Sequence, residues 1–140
     1  MKKVKFLISA LLIATTSVFA QDHQHGSPHG GEVKTAGKEF HIETVVKGGM
    51  MFFYLLDANE KPLNISKATA NATIQTVDGK ILKASLKASD KSKFAYKLNP
   101  AVKYNKAIVN IKTGGKTASA SFNLNKKPDS HNHNEEGHKH

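Results

Sequence analysis

The chain has no cysteine, no tryptophan and no arginine. Without cysteine there can be no disulfide and no thiolate metal site, and no lipidated Cys can anchor the protein after its leader. Without arginine, all 21 basic residues are lysines, scattered singly along the strands proposed below. A nucleic-acid reader would offer Arg for bidentate base and phosphate contacts, in clusters. The formal charge of +10 therefore reads as a solvated surface with no nucleic-acid partner, compatible at most with weak attraction to anionic membrane surfaces.

Long apolar runs are also scarce. The main one, "FLISALLIATTSVFA", follows Lys2, Lys3 and Lys5 and ends in Val18-Phe19-Ala20, with small residues at the −3 and −1 positions. This is the pattern of a secretory signal, and it is too short and too soon broken by Thr15, Thr16 and Ser17 to span a bilayer. Residues 1–20 are expected to be removed near Ala20. The mature chain of about 120 residues should form one soluble, monomeric domain, periplasmic or secreted, without stable membrane insertion.

Histidine is what the sequence does have. His23, His25 and His29 lie in "DHQHGSPHGGEV", and His131, His133, His138 and His140 lie in "SHNHNEEGHKH", so that only His41 stands apart. Residues 21–28 read as a flexible His-rich segment, 29–125 as the folded domain and 126–140 as a disordered His-rich tail.

The folded part is β throughout. "KEFHIETVV" alternates, with Phe40, Ile42 and Thr44 on one face and His41 and Glu43 on the other. Gly48-Gly49 turns the chain into "MMFFYLL", "DANEKP" is turn chemistry, and "NATIQTV" and "KILKASL" form a hairpin about Asp78-Gly79. "KFAYKL" and a hairpin about Gly114-Gly115 follow. Seven to eight short strands with no helical period point to an all-β, immunoglobulin-like sandwich, with a small barrel as the alternative. A two-residue turn at Ala36-Gly37 would place Lys34 opposite Glu39, Val33 opposite Phe40 and Glu32 opposite His41. Glu32 and His41 are then expected as neighbours on the polar face.

Neutral imidazole is the commonest metal ligand, and imidazole-rich sets without thiolate suit Cu(II), Zn(II), Ni(II) and Co(II), with Cu(II) first by affinity order. If cleavage leaves Gln21 at the amino terminus, His23 is the third residue, and amine, two amide nitrogens and imidazole can form a square-planar set for Cu(II) or Ni(II). Cyclisation of Gln21 would remove the amine. Met50 and Met51 are adjacent on a strand, point to opposite faces and cannot readily share one Cu(I) ion. The metal-ligand candidates are His23, His25, His29, His41 and Glu32 at one end, and His131, His133, His138 and His140 at the other.

"SPHGGEV" followed by "FHIETVV" and "FFYLLDANEKPL" resembles small exported bacterial proteins with a Pro-His-Gly-Gly motif, related to N-terminal regions of heavy-metal efflux adaptor subunits. The resemblance covers Pro28 to about Leu63 and is carried by Pro28, His29, Gly30, Gly31 and His41. It implies metal handling, especially of copper, in the cell envelope, with a heavy-metal efflux system as a partner. The chain is also similar in size and topology to periplasmic copper-resistance sandwiches. It departs from these in lacking a Met-rich loop, and from small copper chaperones of efflux systems in lacking a Trp to cap the ion.

The function expected is an exported protein that buffers or ferries transition-metal ions. The alternative is a structural or protein-interaction domain of the envelope with incidental His-rich ends. No enzyme is expected, because a nucleophile–His–acid set or a dismutase site needs more histidines than the one lying securely within the domain.

Overall fold

The computed structural model describes residues 26–126. They form eight strands in chain order: β1 (Glu32–Thr35), β2 (Phe40–Lys47), β3 (Met50–Asp57), β4 (Thr69–Thr76), β5 (Ile81–Ala88), β6 (Lys93–Lys97), β7 (Tyr104–Thr113) and β8 (Lys116–Asn123). All pairings are antiparallel, in the spatial order β1-β2-β3-β6-β5-β4-β7-β8. The fold is thus all-β, as the alternation implied.

Two layers can be distinguished, β1-β2-β3-β6 and β5-β4-β7-β8, but they are continuous. The end of β5 pairs with β6 through Lys87↔Ala95 and Ala88↔Phe94. On the far side β8 packs against β1 and β2. There, Lys116 pairs with Glu39, and Lys126 Nζ lies 3.4 Å from Glu32 Oε1. The sheet is almost a closed barrel, which leaves few strand edges open to other chains.

The core follows from the period of two. Ile42 from β2, Met51, Phe53 and Leu55 from β3, and Phe94 from β6 meet Val109, Ile111 and Phe122 from β7 and β8. Met51 is fully buried there while Met50 is only partly covered, so the two methionines do serve opposite faces. No histidine belongs to this cluster. No helix among the described residues is long and apolar enough to cross a membrane.

Two hairpins set the geometry of the site. At Gly48-Gly49 both residues have positive φ (61° and 72°), and Lys47 pairs with Met50. This tight turn fixes the β2–β3 register and places Tyr54 opposite Glu43 and Leu56 opposite His41.

The β1–β2 hairpin differs from the expected one. The turn is a three-residue loop, 37–39, closed by Ala36 N–H donating to Phe40 C=O at 2.8 Å. Val33 therefore lies opposite Glu43, Thr35 opposite His41, and Glu32 opposite Thr44. The shift is three positions, an odd number, so Glu32 lies on the opposite face from His41. The expected cross-strand pairs would each have contributed a fraction of a kcal/mol, about 0.2–1. Against that, the observed register buries Ala36 in the core. It also sends Glu39 to Lys116 on β7–β8, a partner that local pattern cannot reveal.

Candidate functional site

The outer face of β2 and β3 carries His41 and Glu43 on one strand and Tyr54 and Leu56 on the other. A sheet face of this kind is ordinarily wet, yet Glu43, Tyr54 and Leu56 are buried. Over Glu43 and Tyr54 the cover is supplied by residues 27–31, which fold back over the sheet before β1 begins, while Leu56 pairs with Pro62 of the following loop.

Glu43 is the centre of this cover. Its Oε1 accepts from the backbone N–H groups of His29 (2.9 Å) and Gly31 (2.9 Å) and from the Ser27 hydroxyl (3.0 Å). Its Oε2 lies 2.7 Å from His29 Nδ1. Burial alone would raise the carboxyl's pKa. The bonds from Gly31 N–H, the His29 ring, His29 N–H and Ser27 outweigh it and hold the group below its ordinary value. Glu43 is therefore an ionised, acceptor-only carboxylate, and His29 Nδ1 must carry a proton to donate to it. The His29 ring stacks on Tyr54 with centroids 3.6 Å apart and planes 11° from parallel.

The Pro-His-Gly-Gly motif thus folds as a clasp, and its two glycines have different reasons. Gly30 adopts φ 76°, which L side chains rarely take. Gly31 has no such φ, but a Cβ there would lie 2.1 Å from the Thr44 carbonyl oxygen. The backbone must come this close for Gly31 N–H to reach Glu43. Ser27, expected in a flexible segment, is part of the folded unit: its single hydroxyl proton is shared between Glu43 Oε1 and Gly31 C=O, the latter at 2.7 Å.

His41 sits two residues before Glu43 on the same face, about 7 Å along the strand. Its Nδ1 lies 3.0 Å from the backbone carbonyl of Asp57. A carbonyl only accepts, so Nδ1 carries the proton, and in the neutral ring the lone pair belongs to Nε2. Nε2 faces Glu60, 4.0 Å from Oε1. The turn that presents Glu60 is built by Asp57, whose Oδ1 accepts from the N–H groups of Asn59 (2.8 Å) and Lys61 (2.9 Å). Glu60 has φ 62°, the one non-glycine residue with positive φ among the described residues. Both side chains are largely covered, 13% exposed for His41 and 20% for Glu60.

The sequence-derived candidates therefore separate. His29 and His41 come to the same face, each with Nδ1 engaged by an acceptor, the arrangement by which ligating histidines are usually oriented. Glu32 does not join them. It pairs with Lys34 and Lys126 and lines an open, mostly apolar recess of about 370 Å³ with Thr44, Val46 and Tyr104, which contains neither histidine. His23, His25, His131, His133, His138 and His140 lie outside the described residues. Among the described residues, no group of three or more His, Asp or Glu side chains is placed to hold a metal ion.

Sequence reasoning missed Glu43, Tyr54, Asp57 and Glu60. A usable signal existed. The Gly48-Gly49 turn implies that Tyr54 faces Glu43 and that the "DANEKP" turn lies beside His41. The folding back of residues 26–31 had no local signal beyond the glycines. Comparison with family models, with curated proteins and with solved structures finds no match for this chain.

Proposed function

We propose that the protein is an exported metal-binding module that buffers or ferries transition-metal ions in the cell envelope, Cu(II) foremost and Zn(II), Ni(II) or Co(II) as alternatives. The observation that carries this reading is His41. It is an imidazole in a largely covered position, with Nδ1 fixed by a backbone carbonyl and Nε2 turned toward a carboxylate. The supporting feature is the histidine-rich sequence on both sides of the domain, "DHQHG" before it and "SHNHNEEGHKH" after it. Short His-rich tracts with no thiolate suit adaptable, moderately selective binding of borderline cations.

The reading is tested by equilibrium binding of Cu(II), Cu(I), Zn(II), Ni(II) and Co(II) to the mature chain under competing chelators. Binding should weaken as pH falls through the ordinary imidazole range, about 6.5, because a protonated ring cannot coordinate. Circular dichroism melts with and without chelator should both be cooperative, because the core contains no histidine. Absence of binding for all five ions would end the proposal.

A further inference from the structure

We infer that the outer face of β5-β4-β7-β8 docks the protein peripherally on a bilayer surface of anionic lipids. The inference goes beyond the metal-binding reading and needs no metal.

The first observation is how charge divides between the two layers. Strands β4, β5, β7 and β8 contain no Asp or Glu, and every acid of the described residues lies on another strand or in a loop. The inward positions of these strands are taken by Ala72, Ile74, Leu86, Val109 and Ile111. By alternation Lys83, Lys87, Lys106 and Lys112 therefore point outward, and all four are exposed. Elsewhere lysines meet acids: Lys34 lies beside Glu32, Lys80 beside Asp78, Lys93 beside Asp90, and Lys116 reaches Glu39. Among the described residues, the four outward lysines form no ion pair. The positive charge of the chain is thus left uncompensated on one side of the barrel.

The second observation is apolar. Of the four large hydrophobic side chains left exposed among the described residues, three belong to this layer: Val77 at 53%, Ile81 at 55% and Ile108 at 38%. Ile108 shares a row of the sheet with Thr73 and Lys83, and Ile81 shares one with Gln75 and Lys106. Each isoleucine thus has a lysine two strands away, about 10 Å across the face. A bilayer surface accepts this mixture, with the isoleucines at the acyl boundary and the ammonium groups among the headgroups.

The polar residues between them fit the same partner. Asn110 Nδ2 donates to Asn71 Oδ1 at 3.3 Å, and Ser119 Oγ donates to Asn110 Oδ1 at 2.7 Å. Beside this ladder a shallow hollow of about 200 Å³ is lined by Asn71, Thr73, Lys83 and Ser85. Hydroxyl, amide and ammonium donors without a carboxylate suit the phosphate of a lipid headgroup. Other polyanions and partners fit less well. The aromatic side chains of these four strands, Tyr104 and Phe122, are committed to the core. The face therefore offers no ring for stacking the bases of a single strand and no Arg for reading a duplex. A protein interface favours aromatic residues, Met and Arg over the Lys and Ser found here.

The test uses the full mature chain with a chelator present. It is sedimented with vesicles of phosphatidylcholine alone, and with vesicles of phosphatidylcholine and phosphatidylglycerol in equal parts, at low and at high salt. We expect binding to the anionic vesicles only, lost at high salt. Lys83→Gln with Lys106→Gln should lower partitioning about 25-fold, at about fivefold for each lysine near the surface. Lys47→Gln with Lys97→Gln makes the same charge change at exposed lysines of the other layer and should lower it by less than about fivefold. Ile108→Ser should weaken vesicle binding at unchanged charge. Equal losses for the two lysine pairs would assign binding to net charge and overturn the inference. Vesicle binding that Ile108→Ser leaves intact, with equal binding to soluble polyphosphate, would make the partner a free polyanion and overturn it too. So would absence of binding to the anionic vesicles, and none of these results touches the metal-binding reading. On the unsubstituted chain, spin-labelled lipid should broaden the ¹⁵N amide resonances of Ile81, Lys83 and Ile108 most. Broadening centred on His41 and Tyr54 instead would overturn the inference even if a variant folds poorly.

Discussion

Two imidazole–carboxylate pairs lie side by side on β2 and differ in almost every physical respect. At His29–Glu43 the partners are 2.7 Å apart, the carboxylate is fully buried, and four donors from three residues satisfy it. At His41–Glu60 the separation is 4.0 Å, Nδ1 is engaged by a backbone carbonyl instead of the carboxylate, and the acid sits on a turn with positive φ. The first pair is closed, and its chemistry is spent on holding residues 26–31 to the sheet. The second is looser, its imidazole fixed by the Asp57 carbonyl and its carboxylate carried on a turn. A histidine in a motif is thus not a ligand merely because the motif is noticeable; its partners decide.

Substitutions can break this contrast or sharpen it. The largest effect should come from Glu43→Ala. It strips the acceptor from Ser27 Oγ, His29 N–H, Gly31 N–H and the His29 ring together, and should cost about 3 kcal/mol, seen as a lower midpoint in denaturant melts. The same carboxylate shapes the acid limb. Its folded pKa is depressed, so its contribution is present above the unfolded value of 4.5 and is lost as pH falls through the lower folded value. Glu43→Gln should flatten that limb, and an unchanged limb would mean that Glu43 does not hold the clasp.

Gly31→Ala comes next, at about 2 kcal/mol, because the new methyl meets the Thr44 carbonyl at 2.1 Å and backbone must shift. Proteolysis should then cleave within residues 26–31 sooner than in the parent. His29→Ala should cost about 1.5 kcal/mol, from the lost stack on Tyr54 and one lost bond to Glu43, while two backbone donors remain. A loss as large as that of Glu43→Ala would show that the ring, and not the backbone, carries the clasp.

The smallest effect on stability should be of opposite sign. Glu60→Gly relieves a left-handed residue at the cost of the approach to His41, and should stabilise the domain by about 1 kcal/mol or less. Stability lost at Glu60 as at Glu43 would erase the distinction between the pairs.

Much of this architecture was legible in the chain. Alternation gave all eight strands, and Gly48-Gly49 alone fixed which residues of β2 and β3 face each other. Two loops resisted. Ala36-Gly37 suggested a two-residue turn, but Ala36 is drawn into the core and the loop is one residue longer. Asp78-Gly79 sits likewise in a three-residue loop, 77–79, closed by Thr76 N–H on Lys80 C=O at 2.9 Å. A register one or several residues off moves side chains to new partners, which is how Glu32 was assigned to the wrong side of the sheet.

The sequence by itself determined the β class, the placing of Met50 and Met51 on opposite faces, a count of seven to eight strands, and the supply of imidazoles and lysines without any thiolate. Those follow from period and composition, which are local. Only the tertiary structure decided that Glu43 is buried and Glu60 faces His41. Burial of a charge on a polar face depends on what folds back over it, and the contact between residue 41 and residue 60 depends on a β2–β3 register carried through a whole hairpin and the turn beyond. Local pattern gives each side chain a face, and long-range closure gives it a partner.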